Sequence, residues 1–377
     1  MKYASLFALA IAAAACSTDK DSNIAGPTFD QNTAAVGQVY TMSNGTDANM
    51  VIAYHRMADG SLMPFASYWT GGLGTGGGLG NQSGITLDAS GKTLVVVDAG
   101  SNEVSSFQID SDGSLQLASK VASGGVMPIS VTISKQLVYV LNAGGAGNIA
   151  GFRLSSDGAL AAIAGSSRPL SSATSGPAQV SFDPSGSKLV VTEKNTNLLS
   201  TYAVDGNGLA TGPVTTAAKG VTPFGFAFTN SGTLIVSEAF GGATDASAVS
   251  SYSAGAGNTW SVVSGSVATT ETSACWIAVT NSGRFAYATN ATSGTITGYA
   301  VQNGTLMRLN ADGVTGNIGT GTAPTEMALS RDSEYLYAFS GATHRIAAFS
   351  VGNDGSLTAL PNWVGGLPNG ANGLAAR

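Results

Sequence analysis

Charge is scarce in this sequence: only 10% of the residues are Asp, Glu, Lys or Arg, and the net charge is −6. No cluster of Lys or Arg occurs, so the basic footprint of a nucleic-acid-binding protein is missing. The chain is not of the disordered class either, because 43% of its residues are hydrophobic. With 51 glycines, this composition indicates a weakly charged β protein without a nucleic-acid partner.

Cysteine and histidine are also rare, with two of each. Cys16, Cys275, His55 and His344 form no cluster of the kind that binds a transition metal. Cys275 has no partner histidine in the repeat alignment, so an inert buried thiol is favoured over a nucleophile. A Ser-His-Asp triad is not supported, since no GxSxG motif is present. We therefore predict neither a metal nor a cofactor.

No apolar run is long enough to cross a membrane: Leu6–Ala15 is too short. It ends in small residues directly before Cys16, which resembles a bacterial lipobox, whose cysteine is diacylated and becomes the mature N-terminus. The alternative is an ordinary secretory signal. We expect residues 1–16 to be a lipoprotein signal, residues 17–36 a flexible tether, and residues 37–377 one domain held at the membrane outside the cytoplasm.

The sequence is rich in one repeated unit, clearest at residues 174–202. Val180 and Phe182 alternate with polar residues as in a half-buried strand. Asp183-Pro184-Ser185-Gly186 is a turn, and a short buried strand follows. With this copy counted from Pro177, the copies begin at intervals of 44 to 51 residues, at Gly84, Pro128, Pro177, Pro223, Ala274, Pro324 and, truncated, at Pro368. Turns such as Asp112-Gly113 introduce a fourth strand in most copies.

Four strands per repeat at this period predict an all-β fold, a seven-bladed β-propeller with four-stranded blades. Blade 1 is split: residues 39–43, 50–56 and 62–69 give three strands, and residues 373–376 give the innermost one. This closes the ring and removes open sheet edges. The alternative is a solenoid or sandwich, in which a split first repeat would serve no purpose. We expect a monomer.

Propeller geometry brings the ends of the second strands and the starts of the innermost strands to one rim of the central channel. The second strands end in Asp98, Asn142, Glu193, Glu238 and Asn290. The innermost strands begin with residues that include Gln179, Phe224, Trp276 and Glu326. We predict that these nine residues line the mouth of the channel and bind a small molecule there.

Glu193 and Glu238 are the predicted catalytic residues. They occupy equivalent positions in neighbouring blades, and mutual repulsion would raise the pKa of one to suit a general acid or base. The alternative is that both accept hydrogen bonds from backbone amides or pair with Lys194. Together with Asp98 and Glu326 they would also offer oxygen ligands to Ca²⁺, although no loop carries a dedicated calcium motif.

The remaining mouth residues allow two interpretations each. Phe224 and Trp276 either stack on a ligand or fill the channel as core. The glycine-rich loop 70–81 joins two strands instead of opening a helix, so a nucleotide site is rejected. It is either a tight crossing between blades or a lid whose backbone amides contact an anion.

Segments such as GPAQVSFDPSGSKLVVTEKNTN and TPFGFAFTNSGTLIVSEAFGG resemble the bacterial lactonase family of seven-bladed propellers, which includes 6-phosphogluconolactonase-like and carboxymuconate-cyclising proteins. The resemblance covers residues 37–377 and implies chemistry on a small lactone at the mouth. Members that act on anionic sugars or acids use an Arg-His pair and a Glu. In this chain the residues at the positions that resemble these three are Ala178, Gln179 and Glu193. The arginine that would clamp a phosphorylated substrate and the histidine that would act as the base are therefore missing.

We therefore expect a lipid-anchored lactonase-like hydrolase in the cell envelope. Glu193 or Glu238 would activate water, and Gln179, Asn142, Asn290 or loop amides would stabilise the oxyanion. The alternative is a non-catalytic module that binds a glycan, a peptide or a protein in the envelope.

Overall fold

The computed structural model describes residues 35–377, which form seven antiparallel sheets. Blade 1 contains β1 (Gly37–Met42), β2 (Met50–Arg56) and β3 (Leu62–Trp69). Blade 2 contains β4 (Ile85–Leu87), β5 (Thr93–Asp98), β6 (Glu103–Ile109) and β7 (Leu115–Ala122). Blade 3 contains β8 (Pro128–Ser134), β9 (Leu137–Asn142), β10 (Asn148–Leu154), β11 (Leu160–Ala162) and β12 (Arg168–Pro169). Blade 4 contains β13 (Pro177–Phe182), β14 (Lys188–Glu193), β15 (Leu198–Val204) and β16 (Ala210–Ala217).

The last three blades repeat this order. Blade 5 contains β17 (Pro223–Phe228), β18 (Leu234–Glu238), β19 (Ala248–Ala254) and β20 (Trp260–Ala268), with short 3₁₀ helices at Phe240–Gly242 and Ala256–Asn258. Blade 6 contains β21 (Ala274–Val279), β22 (Phe285–Asn290), β23 (Thr295–Gln302), β24 (Thr305–Arg308) and β25 (Gly316–Asn317). Blade 7 contains β26 (Pro324–Leu329), β27 (Tyr335–Ser340), β28 (Arg345–Val351) and β29 (Leu357–Ala359). The predicted seven-bladed, all-β fold is confirmed.

Blade 1 is closed by the last strand of the chain, as predicted. β30 (Asn372–Ala376) pairs antiparallel with β1, and Tyr40 lies opposite Ala375. The strand order β3-β2-β1-β30 makes β30 the innermost strand. The predicted signal, its lipidation site Cys16 and the tether up to residue 34 lie outside the described residues.

The core lies between neighbouring blades, because each sheet is apolar on both faces. Runs such as Leu94-Val95-Val96-Val97 are fully buried, and one cluster joins Tyr40, Leu94 and Val138 from three successive blades. Such two-sided burial explains why the second strands read as continuous apolar runs. No helix in the described part of the chain is long and apolar enough to cross a lipid bilayer.

A recurring hydrogen bond ties most blades to the next. A buried hydroxyl of one blade donates to the carbonyl of a glycine in the outer hairpin of the following blade. The pairs are Tyr40 with Gly113, Ser106 with Gly158, Tyr139 with Gly208, Ser251 with Gly304, Tyr287 with Gly355 and Tyr337 with Gly60. Each of these glycines has positive φ, between 75° and 88°, so the Asp-Gly and Asn-Gly turns of the sequence also serve as acceptors between blades.

Candidate functional site

The carboxylates at the ends of the second strands lie inside their blades. Asp98 is completely buried and accepts hydrogen bonds from Asn49 Nδ2 at 2.9 Å, Thr70 Oγ1 at 2.5 Å and Ser105 Oγ at 2.6 Å. Burial raises the pKa of Asp98, and these hydrogen bonds act in the opposite direction. Its donors come from the loop between β1 and β2, from the crossing loop and from β6, so Asp98 ties blade 2 to blade 1 and to the loop between them.

Glu193 and Glu238 have the same kind of environment, and both are completely buried. Glu193 accepts hydrogen bonds from the Ser171 amide at 3.0 Å, the Ser171 hydroxyl, Thr196 Oγ1 at 2.8 Å and Ser200 Oγ at 2.7 Å. Glu238 accepts from the Gly220 amide at 2.8 Å, Ser250 Oγ at 2.5 Å and Ser266 Oγ at 2.7 Å. The two residues share no donor. Each carboxylate therefore joins its second strand to the third strand and the preceding loop of its own blade.

The sequence carries a signal for this arrangement. A hydroxyl residue lies seven positions after the polar residue at the strand end in Asp98/Ser105, Glu193/Ser200 and Asn290/Thr297. Each pair makes a hydrogen bond across the hairpin, with Asn290 Nδ2 donating to Thr297 Oγ1 at 2.8 Å. This spacing is a sequence signal for a hydrogen bond within the blade, but Glu238 lacks it, because its donor Ser250 lies twelve positions on.

Three predicted amide side chains are also buried. Gln179 makes two hydrogen bonds to the next blade, from its Nε2 to the Phe226 carbonyl at 2.9 Å and from the Phe226 amide to its Oε1 at 2.7 Å. Asn142 and Asn290 use their Nδ2 atoms, whereas the Oδ1 atom of each is buried without a partner among residues 35–377. Water is the expected partner for those two oxygens.

Residues 79–83, which we term the cap segment, cross the mouth of the channel and contact five blades. Gln82 Nε2 donates to the Ile277 carbonyl at 2.7 Å, and the Ile277 amide donates to Gln82 Oε1 at 3.0 Å. The Gln82 amide donates to the Ala178 carbonyl at 3.1 Å. A Cβ on Gly225 would lie 2.0 Å from Gln82 Oε1, so glycine at 225 makes room for this side chain. The glycine-rich loop thus ends in a segment that covers the channel.

An apolar lining lies beneath the cap segment. The rings of Phe224 and Trp276 are 5.0 Å apart between centroids and are packed with Cys275 and Ala178. Trp276 Nε1 donates to the Asn81 carbonyl at 2.6 Å. Both rings are therefore part of the lining that supports the cap. Burial raises the pKa of the Cys275 thiol to about 12, which keeps it protonated and unreactive at neutral pH.

Lys194 is the mouth residue that the sequence reasoning did not assign to the site. Its ammonium donates to the Gly80 carbonyl at 2.7 Å and lies 4.8 Å from the centroid of the Phe224 ring. It has no carboxylate within ion-pair distance among residues 35–377. Burial lowers its pKa. The sequence signal that could have assigned Lys194 to the site was its position directly after a second strand, because second strands end at the rim of the mouth.

Glu326 is the one predicted carboxylate with few donors. It is 2% exposed and accepts a hydrogen bond from the Ser83 amide of the cap segment at 3.1 Å. Burial raises its pKa to about 8. A carboxyl group that titrates near neutral pH at the mouth of a channel has the properties of a general acid or base.

The predicted carboxylates do not gather around one point. Within the described residues, no three His, Cys, Asp or Glu side chains come together as a metal site would require. Asp98, Glu193, Glu238 and Glu326 each belong to a different blade and have their own donors. The prediction that the protein needs no metal or cofactor stays a prediction.

The comparison with known families agrees with the fold. Residues 68–366 match the family model described as lactonase, 7-bladed beta-propeller. The chain belongs to this lactonase family. No curated protein sequence matches the chain.

Several solved structures share the fold of this lactonase-family propeller at low sequence identity. A protein of Bacteroides fragilis, provisionally assigned as a 6-phosphogluconolactonase, is 18% identical, with a TM-score of 0.69 over 91% of this chain and 99% of its own. The periplasmic gluconolactonase of Pseudomonas aeruginosa is 16% identical, with a TM-score of 0.69 over 89% and 98%. A Lactobacillus plantarum protein is 16% identical, with a TM-score of 0.71 over 90% and 98%.

At the positions that resemble the Arg-His pair of the lactonase family, this chain has an apolar and an amide side chain. Ala178 is completely buried in the lining, and both ends of the Gln179 amide group are bound to Phe226. The nearby cation at this mouth is instead Lys194, which comes from the end of β14. The fold of the lactonase family is thus present here with Ala178 and Gln179 at those two positions.

Proposed function

We propose that this protein hydrolyses a small lactone or related ester at the mouth of its channel, outside the cytoplasm, anchored to the membrane by lipid on Cys16. Membership of the lactonase family supports the reaction class. The observation that carries the proposal further is Glu326, a nearly dry carboxyl group with a pKa of about 8 under the cap segment.

The chemistry follows from those groups. Ionised Glu326 would take a proton from water as the water attacks the lactone carbonyl, and would return it to the ring oxygen as the C–O bond breaks. The oxyanion would be stabilised by Lys194 and by backbone amides of residues 77–80, which donate no hydrogen bond within residues 35–377. Substrate entry would require the cap segment to release its bond between Ser83 and Glu326.

Turnover of a panel of neutral and acidic lactones, with and without Ca²⁺ and EDTA, tests this proposal. We expect Glu326→Gln to abolish turnover, and Glu193→Gln and Glu238→Gln to retain it with lower stability. Because the base must be ionised, kcat/KM should rise with pH through about 8 and level off about one pH unit above it. Loss of turnover in a folded Glu193→Gln or Glu238→Gln protein would move the base to those residues, as the sequence predicted. No turnover on any lactone would refute the hydrolase.

A non-catalytic binding module is the second candidate, and one observation favours it. The cap segment fills the mouth, and Gln82 occupies backbone groups of β21 that a ligand would otherwise meet. In that case the exposed loop around the mouth would bind a glycan, a peptide or a protein. A ligand that binds the wild-type protein and a Glu326→Gln variant equally, without turnover, would favour this candidate.

A further inference from the structure

The opposite rim of the channel contains two adjoining cavities. One, of about 330 Å³, lies where the innermost strands β4, β21, β26 and β30 end. The other, of about 850 Å³, extends between blades 7, 1 and 2. Gly91, Arg331 and Arg377 line both. These shared residues place two guanidinium groups at the junction of the cavities.

The two arginines approach this junction from different blades. Arg331 lies in the turn after β26, and Arg377 follows β30. A Cβ on Gly91 would lie 3.6 Å from Arg377 Cδ and 3.9 Å from Arg331 Nη1. Gly91 has φ of +70° and no side chain, so the backbone can pass between the two arginines without covering them.

Neither guanidinium is neutralised by a carboxylate side chain within ion-pair distance in the described part of the chain. Arg377 donates to Gln38 Oε1 and to the Gly91 carbonyl, both at 2.6 Å, and Arg331 donates weakly to the Ser90 carbonyl at 3.4 Å. All three acceptors are neutral. Unused N–H donors therefore remain on both groups.

The acidic side chains around the two cavities either have partners already or are fewer than the cationic ones. Asp332 pairs with Arg56 at 3.7 Å. Asp88, at the edge of the smaller cavity, accepts the amides of Lys92 and Thr93. The larger cavity is lined by four cationic side chains and two acidic ones: Arg56, Lys92, Arg331 and Arg377, with Asp110 and Asp332. This local excess of positive charge occurs in a chain whose net charge is −6.

We propose that Arg331 and Arg377 bind a phosphate group at this junction, a site separate from the channel mouth. Two guanidinium groups from different directions suit the several oxygens of a tetrahedral phosphate, whereas a planar carboxylate is satisfied by one fork. The phosphate belongs either to a small phosphate ester or to a phospholipid headgroup. Ala35 and Val36 line the same cavity, and the predicted lipid anchor precedes them in the chain. Both facts favour a headgroup as one of the two sources.

Calorimetric titration of the full chain with three soluble probes tests the site: inorganic phosphate, glycerol 3-phosphate and glycerophosphoglycerol, the deacylated headgroup of phosphatidylglycerol. The variant is Arg331→Gln, because the Arg331 side chain is exposed and makes one weak hydrogen bond. The matched control is Arg284→Gln, an exposed arginine of the same rim that lines neither cavity.

We expect at least one probe to bind, with a Kd that rises about tenfold or more in Arg331→Gln and changes by less than about twofold in Arg284→Gln. Tighter binding of glycerol 3-phosphate would identify a small ester, and tighter binding of glycerophosphoglycerol a headgroup. Either pattern supports the site. Absence of binding by all three probes up to about 20 mM, which corresponds to a binding free energy too weak to be specific, would overturn the proposal. Equal binding by Arg331→Gln and wild type would also overturn it.

Discussion

Carboxylates at this mouth differ in how their burial is compensated. Glu193 has four hydrogen-bond donors around its two oxygens, whereas Glu326 lies beneath the cap segment with the Ser83 amide as its donor from that segment. A buried carboxylate is stabilised by donors and destabilised by loss of water. Glu326 therefore prefers its protonated form, and the stability of the folded protein depends on pH through this group.

The free energy of unfolding should fall as pH rises, and Glu326→Gln should make that fall smaller. The pKa of Glu326 is raised from 4.5 to about 8 in the folded protein. Its contribution is therefore complete below pH 4.5 and is lost as pH rises through about 8. The difference between pH 5 and 9 should reach at most about 4 kcal/mol. Urea unfolding across this pH range measures the difference.

Glu334→Gln, an exposed change in the same blade, is the control. Parallel curves of unfolding free energy against pH for wild type and Glu326→Gln would contradict the prediction.

The rim positions of these residues followed from the sequence, but the directions of their side chains did not. Repeat alignment places Asp98, Glu193 and Glu238 at strand ends because strand and turn patterns fix the backbone. Whether a strand-end carboxylate faces the channel or its own blade depends on nearby donors. Ser105 and Ser200, seven residues on, were visible in the sequence and would have indicated the blade.

At the scale of the elements, the cap segment depends on long-range contacts that a repeat pattern in the sequence does not encode. Each blade is specified by local signals, which is why all seven were predictable. The cap segment is held by contacts such as Gln82 with Ile277, 195 residues apart, and these exist only after the ring has closed. The sequence left open whether the glycine-rich loop 70–81 is a tight crossing or a lid, and the position of the cap segment across the mouth agrees with a lid.

Gln82→Ala should destabilise the cap segment. The change leaves both the amide and the carbonyl of Ile277 without their partner, and buried backbone groups in that condition cost about 1–3 kcal/mol. Hydrogen exchange of the Ile277 amide, together with thermal unfolding, measures the effect. Gln302→Ala removes an exposed glutamine near the end of β23 and should change neither. Unchanged protection of Ile277 in Gln82→Ala would show that the Gln82 bonds do not hold the cap.

The bonds between blades give a second prediction for these elements. Tyr337→Phe removes the hydroxyl that donates to the Gly60 carbonyl at 2.8 Å, and should cost about 1 kcal/mol. Tyr54→Phe is the matched control, because the Tyr54 hydroxyl makes no hydrogen bond within residues 35–377. Gly60→Ala should cost more, since its φ is +81° and a Cβ would lie 2.2 Å from the Tyr335 ring. Equal urea midpoints for Tyr337→Phe and Tyr54→Phe would argue against a role for these bonds.

At the scale of the whole molecule, stability depends on closure of the ring. The described chain contains one free cysteine, Cys275, and two salt bridges. Burial between blades and pairing of β1 with β30 are therefore the main stabilising features. A closed ring leaves each blade with two neighbours, whereas an open one would expose a blade face and a sheet edge.

Deletion of residues 372–377 should therefore affect the whole protein. Without β30, the edge of β1 loses its partner along Val39–Met42, and the innermost positions of blade 1 next to β26 and β4 become empty. We expect a large fall in Tm and aggregation through the unpaired edge. Leu374→Ala is the control, because it removes buried volume, at about 2–5 kcal/mol, but keeps the strand and its backbone pairing. Thermal unfolding with light scattering separates the two cases. If the truncated protein unfolded cooperatively near the wild-type Tm without aggregating, six blades and a three-stranded remnant would suffice, and ring closure would not be what stabilises this propeller.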